Sequence, residues 1–287
     1  MSALPRFFAA YQRRVTAELE RLVPRDQGPV ERAMAYTALA PSKEVRAVLV
    51  LACAELCRGQ VERAVPVAAA IELVHSASLI LDDLPSMDDA PLRRGQRANH
   101  LEFGEAIAIL AAFGLLNLAF GTFARAYEPE LASRLTSITS DAVGPGGLIG
   151  GQAIDLLATD QQISFETLER IHRGKTGALF VAAATCGALT AGAAAEPIAA
   201  LTAFAKNLGL AFQIVDDLLD VEGDPALTGK AVREDARKTT FVSFSGVDGA
   251  RQLAEELCGT ADRALAPFGD KADRLRELSA FVISRRS

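Results

Sequence analysis

Apolar residues recur along this chain with the 3.6-residue period of helices, and the pattern is nearly continuous. It predicts helices at about 5–23, 43–58, 61–83, 99–126, 128–142, 147–157, 164–193, 197–221, 249–266 and 271–284. Turn signals fall between them. They are residues 24–29 with a proline at each end, Gly59, residues 85–95, Gly144-Pro145-Gly146-Gly147, residues 160–164, Glu222-Gly223-Asp224-Pro225, and Gly269. No stretch alternates strictly enough to predict a strand. No Ser/Gly linker, charge block or internal repeat divides the chain. The expectation is all-α: one domain over residues 1–287, a bundle of about ten or more helices around a central cavity.

Composition narrows this picture. Hydrophobic residues make up 50% of the chain, Trp is absent and aromatics are 6%, so Ala, Leu and Val must build the core. That mixture favours packed helices over sheet. A net charge of −6 and a pI near 5.3 argue against nucleic acid and against an anionic membrane surface as partners. Cys53, Cys57, Cys186 and Cys258 show no zinc spacing. Cys53 and Cys57, one helical turn apart, read as buried thiols of a reducing cytoplasm rather than a disulfide. The start, Met-Ser-Ala-Leu-Pro-Arg-Phe-Phe, has no signal-peptide core, so a cytoplasmic location is expected. The uncharged runs 106–124 and 177–195 are long enough to cross a bilayer. They are rich in Ala and Gly, the first holds Asn117, and both are read as interior helices with no membrane span.

The chemistry concentrates in two acidic stretches. After an apolar helical run over 70–81 come Asp82-Asp83-Leu84-Pro85-Ser86-Met87-Asp88-Asp89, then Arg93-Arg94-Gly95. Carboxylates that end an apolar helix are costly unless a cation is present. Hard oxygen donors with little else suggest Mg²⁺, which binds through carboxylates plus substrate phosphates. A guanidinium fork suits phosphate oxygens. The same residues would equally suit a solvated acidic loop capping a helix.

Gln213, Asp216, Asp217 and Asp220 follow i, i+3, i+4, i+7 on a second apolar helix and share one face. Asp216 and Asp220 lie one turn apart, roughly 6 Å at the helical rise. Two acidic faces on separate helices can hold a metal–diphosphate group between them.

From about residue 30 to the C-terminus the sequence resembles the trans-isoprenyl diphosphate synthases, or polyprenyl synthetases. The first stretch is similar to their longer first aspartate motif, Asp-Asp-x-x-x-x-Asp, followed by Leu-Arg-Arg-Gly. The second is similar to their Asp-Asp-x-x-Asp motif with its preceding glutamine. The run from His75 to Ala90 is most like bacterial geranylgeranyl diphosphate synthases.

The resemblance implies an isoprenoid synthase fold and three Mg²⁺ ions held by Asp82, Asp83, Asp88, Asp216, Asp217 and Asp220. The implied reaction condenses isopentenyl diphosphate with an allylic diphosphate in a homodimer. Lys43 and Arg46 match the cations that hold isopentenyl diphosphate, although the surrounding Gly-Gly-Lys-Arg-x-Arg-Pro is reduced here to Pro41-Ser42-Lys43-Glu44-Val45-Arg46-Ala47. His75 and Arg94 match further residues at that substrate. Arg93, Lys175, Thr176, Gln213, Lys230 and Lys238 match residues at the allylic diphosphate. The family's Gly-x-Pro-x-x-His is here Gly95-Gln96-Arg97-Ala98-Asn99-His100, without its proline, and Gly151-Gln152-x-x-Asp155 matches a further turn. In the family a bulky aromatic five residues before the first aspartate yields a fifteen-carbon product. Ala77 and Ser78 stand there in this chain, which favours geranylgeranyl diphosphate over farnesyl diphosphate.

Three other readings compete. Glu72-x-x-His75 and Glu169-x-x-His172 carry the spacing of carboxylate-bridged di-iron bundles, but leave both aspartate clusters unexplained. A class I terpene cyclase would need an Asn/Asp-Ser/Thr-Glu motif where Asp-Asp-x-x-Asp stands. The altered motif around Lys43 is compatible with a non-catalytic subunit of a heteromeric synthase, although every aspartate is kept.

Overall fold

A computed structural model describes residues 5–25, 28–222 and 238–285. Its helices are α1 (Arg6–Leu22), α2 (Pro29–Ala38), α3 (Val45–Leu56), α4 (Val61–Asp82), α5 (Asn99–Phe103), α6 (Glu105–Ala126), α7 (Pro129–Val143), α8 (Leu148–Ala158), α9 (Phe165–His172), α10 (Ala178–Thr190), α11 (Ala195–Glu222), α12 (Phe241–Ala264) and α13 (Asp273–Ser284). A π turn, Arg173–Gly177, joins α9 to α10, and a 3₁₀ segment, Ala266–Ala272, precedes α13. The protein is all-α, as its periodicity predicts.

Five departures from the expected elements have local causes. Helix α2 was not predicted. It begins on Pro29, whose fixed φ and missing N–H suit the first helical position. The expected helix 99–126 breaks at Gly104 (φ 82°), and 164–193 is interrupted by the π turn. Helix α12 starts eight residues before the expected 249, with Thr240 and Ser243 forming a reciprocal capping box. A strand pair, absent from the expectation, is formed by β1 (Leu92–Arg93) and β2 (Gln96–Arg97). Its two-residue turn places Arg94 at φ 55° and Gly95 at φ 74°, the positive-φ pair that a tight hairpin needs.

Helix α4 packs on α3 and α6, and α11 packs on α12. Helix α10 touches α3, α4, α7 and α11 and so bridges the two aspartate-bearing helices. One large apolar core runs under α1, α3, α4, α6 and α10, and a smaller one joins α9, α11 and α12. Helices α4, α6 and α11 are long and apolar enough to cross a bilayer by length and composition. The four cysteines are free; Cys53, Cys186 and Cys258 are buried.

Candidate active site

Helix α4 carries Glu72, His75 and, at its end, Asp82, and the turn after it carries Asp83 and Asp88. The Asp88 N–H donates to the Asp82 carbonyl (3.0 Å), which folds the turn back over the helix end. Lys175 comes from the π turn. An added Cβ at Gly151 would sit 2.2 Å from the Lys175 nitrogen, so only glycine lets α8 approach the π turn this closely. Helix α8 thereby brings Asp155 beside two lysines. Lys175 Nζ lies 2.9 Å from Asp155 Oδ2 and 3.9 Å from Asp82 Oδ2. Lys238 Nζ lies 2.8 Å from Asp88 Oδ1 and 3.3 Å from Asp155 Oδ2.

Burial alone would push the Asp155 carboxyl up, but Lys175 and Lys238 pull it below the usual range. For Asp82 the order reverses: burial outweighs the pull of Lys175 and its pKa rises. Lys175 is itself raised, because Asp82 and Asp155 overcome the cost of its burial.

A second cluster is almost wholly cationic. The Arg46 guanidinium lies 4.8 Å from the Phe180 ring centre and 5.7 Å from that of Phe212. Its Nη1 donates to His75 Nε2 (3.3 Å). Arginine can only donate, so that imidazole is neutral with its proton on Nδ1. Burial and the charges of Arg46, Arg94 and Arg93 hold the His75 pKa well below its ordinary value. Arg94 Nη1 donates to the Thr37 carbonyl (3.3 Å). Lys43 is pushed down by burial and by Arg285. Beneath them Glu72, 3% exposed, supplies counter-charge; burial raises its pKa against the pull of Arg94 and Arg46.

Arg285 was not singled out from the sequence. Its guanidinium lies 3.7 Å from the Phe212 ring centre. Its Nη1 lies 2.9 Å from Asp216 Oδ1, and its Nη2 donates to the Phe212 carbonyl.

Two of the six expected metal aspartates are committed elsewhere. Asp83 is 2% exposed and both its oxygens accept from Arg93, Nε to Oδ1 at 2.9 Å and to Oδ2 at 3.2 Å, with Arg93 Nη2 also on Oδ1. Asp217 accepts from Gln213 Nε2 at Oδ1 (3.0 Å) and from the Phe241 N–H at Oδ2 (2.9 Å). Gln213 in turn accepts from the Thr176 hydroxyl (2.8 Å). Each is the second aspartate of its motif and is buried, while Asp82, Asp88 and Asp216 meet Lys175, Lys238 and Arg285. Asp220 follows Asp216 by one turn of α11. Lys230 lies outside the described residues.

Among the described residues, no three His, Cys, Asp or Glu side chains converge to form a ready metal site. Asp82, Asp88 and Asp216 are instead partnered by Lys175, Lys238 and Arg285. Such hard oxygen donors fit Mg²⁺, which keeps several waters and takes the rest of its ligands from substrate phosphates. The di-iron reading fails on geometry. Glu169 pairs with Arg173 (2.7 Å), and the His172 ring lies on Phe241 at 5.1 Å between ring centres.

A polyprenyl synthetase family model matches residues 27–262, most of the chain. The chain belongs to that family. It is 37% identical over 286 residues to a geranylgeranyl diphosphate synthase of Cyanophora paradoxa, covering 96% of this chain and 95% of that one. It is 40% identical over 273 residues to the farnesyl diphosphate synthase of Escherichia coli, covering 92% and 91%. A solved Helicobacter pylori geranyltransferase, complexed with magnesium and isoprenyl diphosphate, superposes with a TM-score of 0.84 at 28% identity, over 99% of this chain and 98% of that one. This polyprenyl synthetase is therefore a trans-prenyltransferase that makes prenyl diphosphates, on an isoprenoid synthase fold.

In the polyprenyl synthetase the small residue expected near the product chain, Ala77, is 4% exposed on α4. An apolar cavity of about 400 Å³ lies behind the π turn, with walls from α7, α10 and α11 that include Ile138, Val181 and Leu210 but not Ala77.

Proposed function

We propose that this chain condenses isopentenyl diphosphate with an allylic diphosphate, with Mg²⁺, and releases mainly geranylgeranyl diphosphate. The observation that carries the reading is the division of the site into two basic clusters. One, Lys175 and Lys238, is interleaved with aspartates; the other, Lys43, Arg46, His75, Arg94 and Arg285, has Asp216 at its edge.

Asp82 and Asp88 from one side, with Asp216 and Asp220 from α11, would hold Mg²⁺, which when bound neutralises diphosphate charge and eases departure of the leaving group. Lys175 and Lys238 bind the allylic diphosphate and stabilise the charge that develops on it. The Thr176 hydroxyl, whose proton is given to Gln213 Oε1, presents its oxygen lone pairs to the nearby positive carbon. Lys43, Arg46 and Arg94 bind the second diphosphate and place its alkene, which lowers the barrier by orientation. Neutral His75, bonded to Arg46, offers its Nδ1 proton to the same group. Arg285, on Asp216 and over the Phe212 ring, belongs to this basic cluster, and Asp216 would have to exchange that partner to hold Mg²⁺. No side-chain nucleophile is required.

Support for a twenty-carbon product is Ala77 with Ser78, small residues on the wall of α4 below Asp82. The exposed apolar residues of α6, Ile109, Leu110 and Phe113, support a homodimer in which a second copy covers this face, and the net charge of −6 supports no nucleic acid and no anionic membrane surface as partner.

Replacing Asp82 or Asp216 by Ala tests the metal assignment. Turnover should fall by about a hundredfold or more, the scale of losing one preorganised electrostatic contact, while the far-ultraviolet helical signal stays native. Near-normal turnover in either variant would remove these aspartates from the metal set.

A further inference from the structure

Asp217 has the sequence position of a metal ligand and the structural surroundings of something else. Its side chain is 3% exposed. One oxygen accepts from Gln213, which accepts from Thr176, and the other accepts from the first N–H of α12, that of Phe241. The Phe241 ring is held by two more contacts, the His172 ring at 5.1 Å and the edge of Phe165 at 5.7 Å. His172 and Thr176 lie at the start and within the π turn, the element that also supplies Lys175. Three residues before Phe241 is Lys238, on Asp88 and Asp155.

We infer that Asp217 is a positioning residue: it fastens the start of α12 to the π turn and so fixes where Lys238 and Thr176 stand relative to Asp82 and Asp88. The reason lies in helix chemistry. The first N–H groups of a helix have no partner within it, and a carboxylate at a helix N-terminus satisfies one and is favoured by the helix dipole. Asp217 supplies that acceptor from a different helix, so one bond sets the distance between α11 and the short run from Lys238 to Phe241. The Thr240–Ser243 capping box leaves the Phe241 N–H for it. Gln213 passes the same constraint to the Thr176 hydroxyl. A carboxylate used in this way orients residues around the metals without being a ligand. The inference rests on the proposed placement of Lys238 at the allylic diphosphate.

Asp217→Asn separates the two roles. An asparagine keeps the bonds to Phe241 and Gln213: its oxygen accepts from the Phe241 N–H, its amide donates to Gln213 Oε1 once that side chain turns over, and Gln213 Nε2 then donates to Thr176. The charge a metal would need is gone. The expected result is turnover close to wild type, with an unchanged Mg²⁺ concentration for half-maximal rate. Asp217→Ala should lose turnover on the order of a hundredfold, the scale of a misplaced catalytic contact, and should speed hydrogen exchange at the Phe241 amide. Lys238→Ala added to Asp217→Ala should cost little more, because both act through one group.

A large rise in the Mg²⁺ requirement of Asp217→Asn would overturn the inference and make Asp217 a ligand. So would fully multiplicative losses in the double variant. If Asp217→Ala fails to fold, the Mg²⁺ titration of Asp217→Asn decides alone. If the wild-type chain transferred no prenyl group, the reading of the site would fall, while Phe241 exchange in Asp217→Asn would still test the fastening.

Discussion

Single residues in this site are tuned by what they are buried against. Glu44 is the plainest case. It starts α3 at φ 48°, 8% exposed, and accepts from the Thr16 hydroxyl at 3.1 Å. Burial and the neighbouring Glu72 push its carboxyl from an ordinary 4.5 to about 7, against the pull of Thr16 and Arg94. The folded state therefore holds a proton that the unfolded state releases at lower pH. Stability linked to Glu44 is full below 4.5 and is lost as pH rises from there through about 7. Glu44→Gln, which keeps the acceptor for Thr16, should flatten the fall in thermal midpoint between about pH 5 and 7. An identical slope in both proteins would show that Glu44 ionises freely in the fold. Residue-scale duties were legible only in part. The charge of Asp83 and Asp217 was plain in the sequence, but their direction was not, because adjacent aspartates differ by a 100° rotation about the helix. Arg285 was invisible as a site residue, since an arginine near a chain end reads as solvated until Phe212 and Asp216 are seen around it.

At the scale of elements, α4 and α11 carry the chemistry, and both were readable from the coincidence of apolar period and aspartate spacing. The π turn was not. One extra residue in a helical turn leaves the hydrophobic pattern almost unchanged, yet it is what presents Lys175 and Thr176 together, as such turns often do at functional sites. Helix α2 was hidden by the prolines at 24 and 29, which read as punctuation although the second starts the helix. The length of α4 bears on the product. Ala77 lies five residues before Asp82, roughly 7 to 8 Å back along the axis. If the growing chain passes here, Ala77→Phe closes the path, and the enzyme should stay active on short primers and stop at fifteen carbons or fewer. Chromatography of the dephosphorylated products checks it. An unchanged product distribution from a folded variant would place the floor elsewhere and remove the support for a twenty-carbon product.

At the scale of the whole molecule, the two aspartate-bearing helices α4 and α11 are joined through α10. Three exposed apolar residues lie together on α6, Ile109, Leu110 and Phe113, of which Phe113 is 65% and Leu110 51% exposed. Scattered apolar residues are normal on a surface; a row along one helix marks a contact. Phe113→Glu should shift the mass seen by light scattering from dimer to monomer. A wild-type monomer at micromolar concentration would contradict the proposed homodimer.

The central claim is that this chain alone, with Mg²⁺, joins isopentenyl diphosphate to an allylic primer through two basic clusters divided by aspartates. The most direct test incubates the purified protein with labelled isopentenyl diphosphate and, in turn, dimethylallyl, geranyl and farnesyl diphosphates, with Mg²⁺ and with chelator, and resolves the products by length. The account predicts label in all-trans polyprenyl diphosphates only when Mg²⁺ and a primer are both present, with the twenty-carbon product dominant. Incorporation that persists in chelator, or none from the protein alone with any primer, would contradict it.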